Sequence, residues 1–242
     1  MSNYELLGVG TNAKTIKGDG SEYLTAILYM TPYKVMVDGK LFNSCSMAAM
    51  ASCIEGCLYT AGRGRMNTVQ TARQRKAEWF YRDRVGFMKQ LYHDIQKFSN
   101  YCKKRGIQPC VRLNGTTDIR WELIPAMPHN KMNIFQEFPE VQFYDYTKIP
   151  NRKVADYPNY HLTWSYSAAN PKYEELFWDV IRKGMSVAVV FRKPVNMTTW
   201  RGYKVVDGDK DDLRFLDPQS SIVALYAKGA AKHDSTGFVQ DI

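Results

Sequence analysis

Residues 23–30 read YLTAILYM, and residues 43–66 read NSCSMAAMASCIEGCLYTAGRGRM. The first run is apolar and bounded by polar segments, which predicts a buried strand. From Thr68 to about Arg105, apolar side chains then recur at helical spacing, and Gly106 follows as a helix stop. A strand, a cysteine-rich loop and a long helix in this order predict the first unit of an α/β fold.

Further short apolar runs predict the rest of a sheet. A helix over Tyr173–Arg182 lies between two of them, and Asp38-Gly39 marks a turn. Apolar strands separated by helices or compact loops are typical of a mainly parallel sheet, which predicts a partial or open (β/α) barrel. The predicted strands are Cys110–Leu113, Val141–Tyr146, His161–Ser165, Ser186–Arg192, Lys204–Asp207 and Ile222–Tyr226.

The composition predicts one globular domain. The chain has 242 residues, 45% of them hydrophobic, which excludes global disorder. Residues 1–20 are polar and rich in glycine, so we expect a loose N-terminal arm followed by a single α/β domain over 21–242. No apolar run approaches the roughly 18 residues of a membrane span. The N-terminus has no signal-peptide pattern, which predicts a cytoplasmic protein without membrane association.

The net charge of +9 is concentrated in one quarter of the chain. Residues 61–120 contain fourteen Lys and Arg but four Asp and Glu, so the remainder is close to neutral. A basic segment on a neutral scaffold favours a localised anionic partner, here nucleic acid or a nucleotide.

Three of the five cysteines fall in the pattern Cys45-x7-Cys53-x3-Cys57. An odd number of cysteines in a cytoplasmic chain argues against a disulfide framework. Thiolates select zinc or an iron–sulfur cluster, and three ligands leave one iron of a [4Fe–4S] cluster open, whereas a structural zinc site takes four. The alternative is that these cysteines are small apolar side chains packed under a loop.

Two polar motifs are candidate ligand sites. Arg63 and Arg65 alternate with glycines just before the helix at Thr68, an arrangement that suits an anion, although a flexible basic loop would look the same. Asn114-Gly115-Thr116-Thr117-Asp118 follows a predicted strand and could bind amino or hydroxyl groups. The same residues are also ordinary turn and helix-cap chemistry.

Other polar groups have simpler interpretations. Asp145 and Lys148 end a predicted strand and could bind a ligand or belong to a hydrogen-bonded sheet surface. The aspartates of segment 207–217 lack the spacing of an EF-hand, which predicts a solvated turn, and His161 is expected to be a satisfied strand histidine. No catalytic triad motif, P-loop or dinucleotide-binding glycine motif is present.

Several blocks of the sequence resemble an uncharacterised bacteriophage family called gene product eighty-eight. The resemblance extends from about residue 43 to 218 and implies a protein of the host cell cytoplasm. The blocks that carry it are CLYTAGRGRM at 57–66, LNGTTDIRW at 113–121, VQFYDYTK at 141–148, NYHLTWS at 159–165 and DGDKDDLRF at 207–215.

A more distant resemblance is to radical S-adenosylmethionine (SAM) enzymes, in which a three-cysteine loop follows the first strand of a partial barrel. It implies that Cys45, Cys53 and Cys57 bind a [4Fe–4S] cluster whose open iron binds SAM. By the same resemblance Arg192 would bind the SAM carboxylate. The usual family spacing is Cys-x3-Cys-x2-Cys, from which this chain departs. The remaining implied SAM-binding residues are Asn114, Gly115, Thr116 and Asp118 near the amino group, and Ser165 and Ser167 near the ribose.

Two functions are therefore expected from different classes. The first is a divergent radical SAM iron–sulfur enzyme whose substrate is unknown, with nucleotides and nucleic acids as candidates. The alternative is a phage-encoded module that binds nucleic acid or a host protein, with a structural zinc or no metal.

Overall fold

The computed structural model describes residues 4–10 and 22–242, without the side chain of Thr60. Predicted features at 1–3 and 11–21 lie outside the described residues. Five α-helices are described: α1 (Asn67–Arg82), α2 (Arg84–Lys103), α3 (Ile134–Glu137), α4 (Pro171–Glu174) and α5 (Leu176–Arg182). The strands are β1 (Leu7–Val9), β2 (Tyr23–Leu28), β3 (Lys34–Val37), β4 (Lys40–Asn43), β5 (Gln108–Arg112), β6 (Gln142–Thr147), β7 (Tyr160–Ser165), β8 (Val187–Phe191), β9 (Thr199–Trp200), β10 (Tyr203–Asp207), β11 (Ile222–Tyr226) and β12 (Val239–Gln240).

A ten-stranded sheet is the framework of the fold. Its order is β1-β2-β5-β6-β7-β8-β11-β10-β9, and β12 also pairs with β8. Seven neighbouring strands of this sheet are mutually parallel: β2, β5, β6, β7, β8, β11 and β10. The edge strands β1 and β9 are antiparallel to their neighbours. This confirms the mixed α/β class with a mainly parallel sheet. Since β2, β5, β6, β7 and β8 follow one another in chain order, right-handed connections place their crossovers on one face. In the described part of the chain, the two edges do not pair to close a barrel.

The long basic helical pattern forms two helices, not one. Helix α1 ends at Arg82, and α2 begins at Arg84. Between them, Asp83 has a non-helical backbone (φ −135°, ψ 80°), and its carboxylate accepts the N–H of Gly86 at 2.9 Å. A Cβ on Gly86 would lie 2.0 Å from that carboxylate, so glycine is required by the cap. The helix break therefore comes from an N-cap aspartate within an otherwise continuous apolar pattern.

The predicted N-terminal arm is in part a sheet edge. Strand β1 pairs with β2, and Leu6 and Leu7 are buried in the main core. The backbone N–H of Leu6 donates to Asp94 on α2 at 2.7 Å. The polar composition of 1–20 concealed these two leucines, so the expectation of a loose arm does not hold for Leu6–Val9.

Segment 207–217 covers the sheet face opposite the helices. Asp212 is buried and forms an ion pair with Arg112 of β5 at 2.5 Å, while Phe215 packs against the rings of Tyr23 and Tyr144. A parallel sheet needs cover on both faces, and this segment supplies it here. The prediction of a solvated turn is therefore wrong for Asp212, because its charge neutralises a buried arginine.

None of the helices in the described ranges is long and apolar enough to cross a membrane.

Candidate functional site

The cysteine segment, residues 45–57, lies at the carboxyl edge of the parallel strands. Cys45 Sγ contacts the carbonyl oxygen of Thr116, which follows β5, at 3.9 Å. The hydroxyl of Ser167, which follows β7, donates to the carbonyl of Ala51 at 2.8 Å. Ligand sites of α/β proteins usually lie at this edge, beyond the strand ends.

The three thiols lie in the same part of the fold. Cys57 interacts electrostatically with both Cys45 and Cys53. Burial raises the pKa of the Cys45 thiol to about 12, and burial likewise raises the pKa of Cys57. Buried thiols that stay protonated at neutral pH lose their protons when a metal binds, since the metal replaces the proton as the positive partner.

Two backbone N–H groups point at the sulfur atoms. The N–H of Tyr33 donates to Cys45 Sγ at 3.4 Å, and the N–H of Tyr59 donates to Cys57 Sγ at 3.5 Å. Such hydrogen bonds stabilise thiolates and tune the potentials of iron–sulfur clusters. The loop backbone is therefore arranged to support two of the three sulfur atoms as anions.

The described residues contain no group of three or more His, Cys, Asp or Glu side chains placed to hold a single metal ion. A zinc ion gathers its ligands around one point, whereas in a four-iron cluster each cysteine binds a different iron.

Two cations flank Cys57. Lys148 follows β6, interacts electrostatically with Cys53 and Cys57, and has its pKa lowered to about 8 by burial. Arg73 of α1 also interacts with Cys57 and lies over the rings of Tyr29 and Tyr59. Its Nε is buried without a hydrogen-bond partner. Sequence reasoning noted Lys148 but did not single out Arg73, which looks like any other residue of a basic helix.

Arg63 and Arg65 lie beside the cysteine segment on a short 3-10 turn, Gly62–Arg65, and both are exposed. Between them, Gly64 is buried, and a Cβ there would lie 2.4 Å from the carbonyl oxygen of Tyr59. Glycine is thus needed for close packing, which holds the two arginines on the surface. Their predicted role in binding an anion stays a prediction.

The motif at 114–118 adjoins the cysteine segment, but its side chains bond within the protein. Asn114 Oδ1 accepts from Thr117, Ile119 and Trp121, and Thr116 Oγ1 donates to the carbonyl of Met30 at 2.5 Å. The N–H of Asp118 donates to the carbonyl of Ser44, next to Cys45. These bonds fix the loop against the cysteines, and a Cβ on Gly115 would lie 2.7 Å from the carbonyl oxygen of Leu28.

The other implied SAM-binding residues separate into two groups. Ser165 and Ser167 lie at the end of β7, and Ser167 anchors the cysteine segment as described. Arg192, at the end of β8, pairs instead with Asp241 near the C-terminus at 2.5 Å. Its guanidinium also donates to the carbonyls of Lys232 and Asp234, so its hydrogen bonds are made to the C-terminal segment.

The basic segment 61–120 does not form one continuous charged surface. Arg112 is buried against Asp212, and Arg73 and Arg84 are partly buried against aromatic rings. The exposed cations of α2 and the turn after it are Lys89, Lys97, Lys103, Lys104 and Arg105. Binding of nucleic acid or a nucleotide by this segment stays a prediction.

Comparison with protein-family models gives a match to Gene product 88 over residues 5–242. Comparison with curated proteins and with solved structures finds no match. The family match covers nearly the whole chain and supports the resemblance to a bacteriophage family that the sequence blocks carry. The chain therefore belongs to the Gene product 88 family.

Proposed function

We propose that this protein is a divergent radical SAM iron–sulfur enzyme whose [4Fe–4S] cluster is held by Cys45, Cys53 and Cys57. One observation carries the proposal: Cys57 interacts electrostatically with both Cys45 and Cys53 at the carboxyl edge of parallel strands that follow one another in chain order. The cysteine segment comes after β2, the first strand of that parallel series. In α/β folds this edge is where cofactors are bound.

The residues around the thiols suit a cluster chemically. Three thiolates and a cluster add negative charge, and Lys148 and Arg73 supply positive charge beside Cys57. Backbone N–H groups already point at two of the sulfur atoms. The unpartnered Nε of Arg73 is a buried donor next to this site, which suits an anionic group of the cofactor or a ligand.

The cluster would supply one electron to SAM, and the protein would supply binding, orientation and exclusion of water. Lys148 is held in place for this, since its Nζ donates to the carbonyl of Tyr166 at 3.3 Å. Its own carbonyl accepts from Trp164 and Tyr173. These hydrogen bonds fix the ammonium group near Cys53 and Cys57.

A nucleotide or nucleic acid is the substrate class that we propose, because Arg63 and Arg65 are exposed on the turn that follows the cysteine segment. Guanidinium groups bind phosphates by paired hydrogen bonds. We propose that the reaction takes place in the cytoplasm of the infected host cell, where nucleotides are available.

The proposal predicts reductive cleavage of SAM. Reconstituted with iron and sulfide without oxygen, then given dithionite and SAM, the protein should form 5′-deoxyadenosine, detected by liquid chromatography with mass spectrometry. Formation should fall to background in Cys45→Ala, Cys53→Ala and Cys57→Ala, and should persist in Cys102→Ala, whose cysteine is buried in the main core. Absence of 5′-deoxyadenosine from wild type, together with salt-dependent nucleic-acid binding that survives the cysteine changes, would favour the alternative binding module.

A further inference from the structure

The C-terminal segment, residues 227–242, lies across the cysteine segment and is here called the C-terminal strap. The ring of Phe238 packs on Gly56, where a Cβ would lie 3.1 Å from a ring carbon. The Nζ of Lys148 lies 4.5 Å from the centre of the same ring. A small apolar cluster, against which Cys53 also packs, joins the strap to the site; its buried members are Ala227, Ala231, Phe238 and Val239.

Polar contacts hold the strap at three places: Lys228 pairs with Asp209 at 2.5 Å, the carbonyl of Gly237 accepts the N–H of Ala168 at 2.9 Å, and Arg192 binds its end. Strand β12 contributes two residues to the sheet, both paired with β8. Arg192, at the end of β8, binds the Asp241 carboxylate at 2.5 Å and the carbonyls of Lys232 and Asp234 at 2.9 and 2.8 Å. The strap buries four apolar side chains, far fewer than the main core, and segments that bury less apolar surface open at a lower free energy than the whole protein unfolds. Arg192 is therefore placed to control how often the strap opens.

Two glycines in the left-handed region bound residues 230–236 of the strap, and the second directly precedes Phe238. Gly229 has φ of +57° and Gly237 has φ of +95°. Each also allows close approach in the closed arrangement, since a Cβ would meet Ala61 or Ala168 at 3.2 Å. These positions combine backbone freedom with tight contact, as expected of residues that bound a moving segment.

We propose that the C-terminal strap is a lid over the cysteine site, with Arg192 as its latch. Opening would admit a ligand to the thiols, and closure of Phe238 over Lys148 would exclude water while the ligand is bound. The inference deepens the proposed function, since it treats the cysteine segment as the site that the lid serves. It assigns Arg192 to the strap rather than to a ligand carboxylate.

Native-state labelling of the thiols tests the lid. Full-length protein, treated with a chelator, is reacted with iodoacetamide, and mass spectrometry follows each cysteine separately. We expect Arg192→Met to raise the labelling rates of Cys53 and Cys57 by about tenfold, which corresponds to about 1.4 kcal/mol in the free energy of opening. Asp241→Asn, which alters an exposed partner of Arg192, should act in the same direction. Arg182→Met, which removes an exposed arginine–aspartate pair on α5 outside the strap, is the matched control and should change nothing.

Cys102 and Cys110 are buried in the body of the protein and report its global unfolding. Their labelling should stay slow in every variant. The lid is refuted by unchanged rates at Cys53 and Cys57 in both variants, or by an equal rise at Cys102 and Cys110, which would mean that Arg192 stabilises the whole fold. Because labelling needs no cluster, a protein that binds no iron but shows the selective rise would retain the lid and lose the proposed enzymatic function.

Discussion

We expect Arg152→Met to lower the free energy of unfolding by about 3–5 kcal/mol, because it leaves two buried carboxylates without their arginine partner. The guanidinium of Arg152 has no exposed side-chain surface and binds Glu122 at 3.0 and 2.5 Å, Asp118 at 3.4 Å and the Tyr160 hydroxyl at 3.0 Å. Methionine fills similar space without charge. Urea denaturation followed by circular dichroism would measure the loss.

The matched control is Arg82→Met. Arg82 also binds a carboxylate with two nitrogen atoms, but it and its partner Asp38 are exposed. Exposed ion pairs contribute little to stability, so this change should cost far less than Arg152→Met. Equal losses for the two variants would show that Arg152 does not hold buried charges together. The comparison matters for the site, because Asp118 fixes the loop that contacts Cys45.

The second large effect is expected at Asp212. Asp212→Ala should cost about 3–5 kcal/mol, because it leaves the Arg112 guanidinium buried without its carboxylate partner. Asp207→Ala is the control: Asp207 is exposed and accepts one N–H from Asp209, so we expect a loss below about 1 kcal/mol. If segment 207–217 were a solvated turn, the two losses in urea denaturation would instead be alike and small.

The central strands were predictable from sequence because each is a short run rich in apolar, aromatic or β-branched residues, continuous in β8 and β11. Ile222–Tyr226 coincides with β11, and the predicted run at His161–Ser165 differs from β7 by one residue. The strands of the hairpin β3–β4 were not predicted, although Asp38-Gly39 predicts its turn. Each strand is only four residues long, and they expose Met36 and Leu41. Short strands with apolar side chains facing outward lack the alternation that identifies a half-buried strand.

The site was predictable only in part. The spacing of the cysteines identified the ligand candidates, and the end of a strand identified Lys148. Arg73 could not be distinguished, because its proximity to Cys57 depends on how α1 packs across the strand ends. Asp212 was missed for a related reason: a run of aspartates looks solvated until the buried arginine opposite it is known.

Iron content measures whether Cys45, Cys53 and Cys57 hold a cluster. After anaerobic reconstitution and desalting, we expect four irons and four sulfides per chain in wild type, with the visible absorbance of a [4Fe–4S] cluster. The variant with Cys45, Cys53 and Cys57 all changed to Ala should retain none, whereas the double variant Cys102→Ala/Cys110→Ala should match wild type. Wild-type protein that is folded but holds no iron, or a triple variant that holds as much iron as wild type, would contradict the account.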